Sequence, residues 1–273
     1  MRWTRTAGIY LVLCLGAVLT LAPFLLSILT AFKTREQFAG QSVLAWPDPF
    51  TLDNILRVLS GPAEFGRAVL ITLLAAVLIL IGQLVCSILA AYAFARVDFP
   101  GRQVLFWVYL STLMIPPVVL IIPLYLMMTQ AGLRNSFWSL VLPFAFASPY
   151  AVFLLREYFR GIPQELIDAA RLDGANTLDV LVEIVVPLSK PIIATLTLIT
   201  IVSHWNSFMW PLVVTTGPQW RVVTVATASL QSQFNGNWTL VMAATTLALV
   251  PLLVLFLVFQ RQFVRSITIS GFK

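Results

Sequence analysis

Apolar residues fall into six long runs free of Asp, Glu, Lys and Arg: 7–32, 68–95, 103–133, 135–155, 191–220 and 222–260. Each contains the roughly 20 apolar residues that a helix needs to cross a bilayer. None alternates with the period of two that marks a strand of a membrane barrel. The pattern predicts an all-α polytopic membrane protein with six transmembrane helices. The first run extends past Ala22 through Leu25, Leu26 and Ile28 to Phe32. That is too long for the apolar part of a cleaved signal, so residues 1–22 are read as the start of an uncleaved span.

Two of the runs carry features beyond apolarity. The third holds Pro116, Pro117 and Pro123. It cannot be one regular helix, because proline removes a donor and clashes with the preceding turn. Such a bend either lines a translocation route or is a packing kink. The fifth span, 192–214, contains the single histidine in a polar cluster of Ser203, His204, Trp205, Asn206 and Ser207, followed by Trp210 and Pro211. Ser203, Trp205, Asn206, Ser207 and Trp210 are candidate pathway residues. Aromatic faces can hold the C–H surface of a sugar, and amide or hydroxyl groups its hydroxyls. The competing reading is that Asn206 and His204 bond neighbouring helices, and His204 is read as structural.

The stretch 162–191 is a long charge-bearing segment between two apolar runs. Pro163 suits a first helical position, where its missing N–H costs nothing. Leu166, Ile167, Ala170 and Leu172 recur at helical spacing, with Gln164, Glu165, Asp168 and Arg171 between them. Gly174 stands where a helix end needs a left-handed residue. Asn176 or Thr177 can cap a second short helix, Asp179 lies in its first turn, and Pro187 is expected to stop it. These signals predict two short amphipathic helices joined by a bend, outside the bilayer between the fourth and fifth spans. That is the shape of a docking element.

Elsewhere the connections are short, apart from 33–67, where Trp46, Pro47, Pro49 and Pro62 interrupt regular structure and 51–59 can form an amphipathic turn or two. Residues 96–102 form a tight turn around Pro100-Gly101, residues 131–136 another, and 215–238 reads as a loop rich in Gly, Gln, Asn and Trp.

Composition adds the excluded classes. With 59% hydrophobic and 10% charged residues, the chain is too apolar for a soluble domain. A cytoplasmic N-terminus and six spans put 11 Lys and Arg inside and 6 outside, with both termini cytoplasmic. The net charge of +6 therefore follows topology and points to no nucleic acid. Cys14 and Cys86 lie within spans, without partner or ligand spacing, and read as small apolar fillers. No GxxxxGK[ST] loop cradles ATP phosphates, and no HExxH, CxxC or GxSxG occurs. One His cannot form an imidazole cluster. No catalytic residue, metal site or cofactor is expected, and the chain is not read as an enzyme. The absence of charge at mid-span argues against a carrier that titrates in the membrane.

Within 162–191, Asp168-Ala169-Ala170, three residues, Gly174, nine residues and Ile184-Val185-Val186-Pro187 follow one another. This resembles the EAA motif (EAA, three residues, G, nine residues, I-x-L-P) of binding-protein-dependent ABC importer permeases. Asp168 for Glu and Val186 for Leu depart from it without altering the spacing. Residues 116–125, Gly132-Leu133, 162–166, Trp205-Asn206 and 260–264 resemble the carbohydrate-type, MalG-like branch. The resemblance thus covers nearly the whole chain, and only the tail 266–273 departs from the family's usual Gly-Leu-Thr-x-Gly-Ala ending.

The resemblance implies a type-1 ABC importer permease fold. Residues 1–67 would be an N-terminal helix and external loop, 68–262 the importer domain and 263–273 a cytoplasmic tail. It implies a place in a bacterial or archaeal cytoplasmic membrane and half of a carbohydrate pathway. The implied partners are a second homologous permease, a cytoplasmic ATPase dimer and an extracytoplasmic solute-binding protein, besides the lipid bilayer. The segment 162–191 would seat in the ATPase. There Leu166, Leu172 and Ile184 act as apolar anchors, and Ala169 and Ala170 leave room for close approach. Gly174 permits the bend, Asp168, Arg171 and Asp173 make rim contacts, and Pro187 closes the motif. A permease for an amino acid, phosphate or polyamine stays open, as does a non-transporting membrane scaffold.

Overall fold

The computed structural model describes the backbone of residues 2–61, 64–233 and 237–270, and the side chains of these apart from 2–5, 7, 232, 233, 259 and 261–270. Pro62 and residues 271–273, with the terminal cation Lys273, lie outside the described residues, as do the side chains of Arg2, Arg5, Arg261, Arg265, the stretch 261–264 and the tail 263–270.

All regular structure among the described residues is helical. Four segments are long and apolar enough to cross a membrane: Gly8–Ala31, Phe65–Arg96, Phe137–Arg160 and Trp238–Val258. Two bent pairs, Arg102–Met114 with Pro117–Gln130 and Thr177–Leu188 with Lys190–Trp205, raise the number to as many as six if each is one span.

The third span is broken at its prolines. Helix α5 (Arg102–Ser111) passes through two 3₁₀ turns into α6 (Ile121–Gln130), and the halves lie at 95° to each other. Pro116 is extended, with ψ 129, and Pro117 opens the following turn. At the end of α5 the hydroxyls of Ser111 and Thr112 each donate, at 2.7 Å, to carbonyls three residues back.

The fourth span reads in the sequence as one segment, but the structure interrupts it. Helix α7 (Phe137–Val141) and a 3₁₀ turn give way at residues 145–148 to α8 (Pro149–Arg160). Pro143 and Pro149 prevent a continuous hydrogen-bond ladder there. The freed backbone is satisfied from within the protein, as membrane depth requires. The Tyr109 hydroxyl donates to the Ala147 carbonyl at 2.6 Å, and the Ser148 N–H donates to Ser87 at 3.1 Å. Ser87 belongs to α4 (Phe65–Arg96), and one turn earlier Gly82 packs directly on Ala145.

The chain divides into two compact units, Met1–Val69 with Val223–Leu253, and Leu70–Val222 with Val254–Lys273. The first contains α1 (Arg2–Ala31), α2 (Arg35–Gly40), α3 (Asp53–Ser60), α14 (Val223–Gln233) and the early turns of α15 (Trp238–Ser270). Its polar centre is buried. The Lys33 ammonium donates to the carbonyls of Ser42 and Val43 at 3.0 Å. Asn54 donates to the carbonyls of Ala31 and Lys33 and accepts from Thr239. Helix α3 is the amphipathic element expected near 51–59. Helix α14 corrects the reading of 215–238 as a plain loop. Val223, Ala226 and Leu230 are buried at helical spacing, and the Thr, Ser and Gln between them dilute the signal.

The second unit holds a core of Phe94, Phe106, Leu155, Phe159, Ile167 and Val185. Arg156 is buried against it. Its guanidinium lies 4.0 Å from the centre of the Phe106 ring and donates to the Phe94 carbonyl at 3.4 Å. This ties α8 to the end of α4 and the start of α5.

A Cβ at Gly82 would overlap the Ala145 carbonyl, whereas one at Gly66 meets nothing within 4 Å. Gly82→Val should therefore destabilise the protein by about 1–3 kcal/mol. Heating detergent-solubilised protein before fluorescence size-exclusion should show a lower midpoint for Gly82→Val and no loss for Gly66→Ala.

Candidate docking site and transmembrane cleft

Helix α9 (Gln164–Leu172) begins one residue later than expected. Pro163, with ψ 134, precedes the helix as its N-cap instead of occupying its first position. The C-terminal end matches the expectation: Gly174 takes φ +93. Its N–H donates to the Arg171 carbonyl at 3.1 Å, and the Ala175 N–H donates to the Ala170 carbonyl at 2.9 Å. These two bonds form a Schellman closure, which sets the direction of the exit.

Of the two possible caps for the next helix, Asn176 is the one used. Its side chain accepts from the N–H groups of Leu178 and Asp179, while the Asp179 carboxylate accepts from the Asn176 N–H at 2.9 Å. This helix starts as α10 (Thr177–Asp179), widens into a π-helical stretch, Val180–Val185, and ends as α11 (Val186–Leu188). Pro187 therefore lies inside it, and the helix stops one residue later. The wider π turns absorb a proline that an α-helical ladder would not tolerate. At Ser189 the chain turns by 78° into α12 (Lys190–Trp205).

The helix pair has two distinct faces. Ile167, Val180, Leu181 and Val185 are buried in the core of the unit. On the other side Leu172 is 90% exposed at the bend, flanked by exposed Leu166, Leu178 and Val182. Asp168, Ala169, Arg171 and Asp173 are exposed around these residues, and so is Pro187. Ala170 and Ile184, expected at the docking surface, are half-buried instead, with Ala170 packed on the inner core. A residue that closes a Schellman turn through its carbonyl must lie close to the chain it turns beneath. Leu178 and Val182 were missed by the sequence reading, although their spacing of four puts them on one helical face.

The polar cluster of the fifth span is not on a continuous helix. Helix α12 ends at Trp205, residues 206–208 are non-helical, and α13 runs Met209–Val214. The reading of 192–214 as one span is thereby corrected to two helices around a break. The Asn206 side chain folds back to donate to the Val202 carbonyl at 2.9 Å, an acceptor it shares with its own backbone N–H. Trp210 is buried and donates from Nε1 to the Ser139 carbonyl at 3.0 Å. Trp205 is buried too, and Ser203 is exposed away from the break. His204 packs its ring on Phe144, with centroids 5.3 Å apart.

An open cleft of about 780 Å³ brings the broken third and fifth spans together. Pro117 and Pro123 stand on one side, Asn206, Ser207 and Trp210 on the other, with Phe144 between. Three of the five candidate pathway residues therefore meet in a single cleft, while Ser203 and Trp205 do not line it.

Residues 83–269 match the model of the family described as binding-protein-dependent transport system inner membrane component. The chain belongs to this family. As a permease component it is a multi-pass protein of the bacterial inner membrane. It is 32% identical to the arabinooligosaccharides transport system permease protein AraQ of Halalkalibacterium halodurans, over 100% of this chain and 97% of the relative. It is 33% identical to the sn-glycerol-3-phosphate transport system permease protein UgpE of Yersinia pestis, over 96% and 95%. Among solved structures, a bacterial ABC transporter involved in import of the acidic polysaccharide alginate matches with a TM-score of 0.82 and 25% identity. That match covers 96% of this chain and 98% of the other. A second structure of a bacterial alginate ABC transporter, in complex with a periplasmic protein that carries an alginate pentasaccharide, matches at 0.67 with 18% identity.

The capping box gives the permease's docking bend a local stability that is open to measurement. Asn176→Ala should cost about 1 kcal/mol, since an N-cap side chain contributes about that much. Amide hydrogen exchange within 177–180 should then speed up about fivefold, with exchange in α8 unchanged.

Proposed function

We propose that this permease forms half of the transmembrane route of a carbohydrate importer, and that residues 162–191 seat in a separate cytoplasmic ATPase. The observation that carries the docking assignment is the two-faced helix pair. Its inner face is committed to the protein's own core, and its outer face offers Leu166, Leu172, Leu178 and Val182 inside a ring of Asp168, Arg171 and Asp173. An apolar tip rimmed by charge is the usual form of a protein interface. Burying each leucine contributes about 2 kcal/mol.

In this reading both termini are cytoplasmic, ATP hydrolysis belongs to the partner subunit, and this chain performs no chemistry. A second, homologous permease completes the route, and an extracytoplasmic solute-binding protein delivers the cargo. Residues 68–262 serve as the importer domain. The relatives named for arabinooligosaccharides and alginate support a carbohydrate cargo. The cleft supports a sugar cargo. Its lining offers the amide of Asn206, the hydroxyl of Ser207 and apolar walls, with no Lys, Arg, Asp or Glu.

Two experiments test this reading. Leu172→Asp and Gly174→Pro should leave the permease in the membrane and lower ATPase co-purification and solute uptake by tenfold or more. Normal uptake with a normally attached ATPase would count against the dock. Asn206→Ala should raise the half-saturating sugar concentration or slow uptake, and an unchanged transport curve would remove the cleft from the route.

A further inference from the structure

We infer that Arg96 is a positioning residue that joins the docking helix pair to the inner end of the second span, so that the two move together. The inference rests on the reading of 162–191 as the ATPase dock.

Arg96 is the last residue of α4. Its guanidinium reaches three groups in a different part of the chain. Nη1 donates to Gln164 Oε1 at 2.6 Å, and Nη2 donates to the carbonyls of Phe159, at 2.6 Å, and Ile162. Phe159 lies in the last turn of α8, Ile162 in the connection, and Gln164 is the first residue of α9. One planar cation thus collects the end of a span, the joint that follows it and the start of the dock. Carbonyls at a helix C-terminus are short of donors and carry the negative end of the helix dipole, so a guanidinium suits them.

The contact continues into the docking motif itself. Gln164 Nε2 donates to Asp168 Oδ1 at 2.9 Å, and Asp168 is the first residue of the Asp-Ala-Ala triad. From the other side, buried Arg156 ties α8 to the Phe94 carbonyl and the Phe106 ring. Between these two arginines the ends of α4, α5, α8 and α9 form a single block.

The cations of this region do different work. Arg102 serves its own turn, donating to the Val97 carbonyl and pairing with Asp98, both at 2.9 Å. Arg96 alone among the described cations spans from α4 to α9. Lysine cannot replace it, because a single ammonium lacks the planar fork that addresses acceptors in two directions. Without the fork, no polar bond fixes residues 159–164 to the end of α4, and α9 is held to it by the apolar packing of Ile167 and Ala170, which permits tilting. The dock would still bind, but its motion would no longer reach the span.

The experiment uses the full importer, with its ATPase and solute-binding protein, reconstituted in proteoliposomes. It measures solute moved per ATP hydrolysed. Arg96→Gln and Arg96→Lys should retain the ATPase and its hydrolysis while transport per ATP falls tenfold or more. Gln164→Leu, a change at an exposed position, should lower the ratio about threefold. A merely structural role would reduce the amount of complex recovered and leave the ratio untouched. A native ratio in Arg96→Gln overturns the inference. Should that variant not assemble, a native ratio in Gln164→Leu overturns it equally. If the unaltered importer is recovered with no ATPase attached, the docking assignment itself fails, and the inference falls with it.

Discussion

A peptide group at membrane depth must find its hydrogen-bond partner within the protein, because lipid offers none. This chain breaks its third, fourth and fifth spans, and each break comes with its own remedy. Ser111 and Thr112 cover the last carbonyls of α5. Ser87 and Tyr109 satisfy the gap before α8. Asn206 folds back over the end of α12. The few polar side chains in otherwise apolar runs are therefore the condition on which the bends exist. Two of those bends then face one another across the cleft, so the cavity follows from the same constraint.

The same requirement continues at the cytoplasmic end, where water is available but the chain still uses its own donors. A Schellman closure, a capping box and an arginine fork satisfy the backbone around α9 and α10. The tip of the proposed dock is apolar. Leu172 is almost wholly exposed and its neighbours are about half exposed, while Ile167, Val180 and Val185 are fully enclosed. The helix pair is thus held firmly on one side and unclaimed on the other.

The long-period features were legible in the sequence. Charge-free runs gave the span count, and the positive φ at Gly174 follows from a glycine placed just beyond an amphipathic helix. Three prolines foretold the broken third span. Local rules failed where the deciding atom is remote in sequence. Pro143 and Pro149 did not reveal the fourth break, because its stabilising groups, Ser87 and Tyr109, sit on other helices. Nothing in the spacing of Trp205 to Trp210 shows that the helix ends between them. Pro187 looked like a stop, but the preceding turns can widen into a π-helix. Arg96 read only as a positive charge at a span end, since its acceptors lie more than 60 residues away. Helix α14 was hidden because burial by neighbours, rather than its own composition, makes it helical.

A lever works only if its shape does not depend on what pushes it. Were the dock to fold upon binding, part of the interface energy would go into ordering it, at an entropic cost for every residue fixed. Here the bend is closed by bonds internal to residues 163–189, and its inner face is already buried. Binding energy from Leu172 and its neighbours is then available in full, but a partner that held the dock equally in two states would move nothing. Displacement must come from the difference between those states. It reaches the cleft through whatever joins α9 to the spans, and for α4 that is the shared apolar core around Ile167 together with, on the inference above, the guanidinium of Arg96.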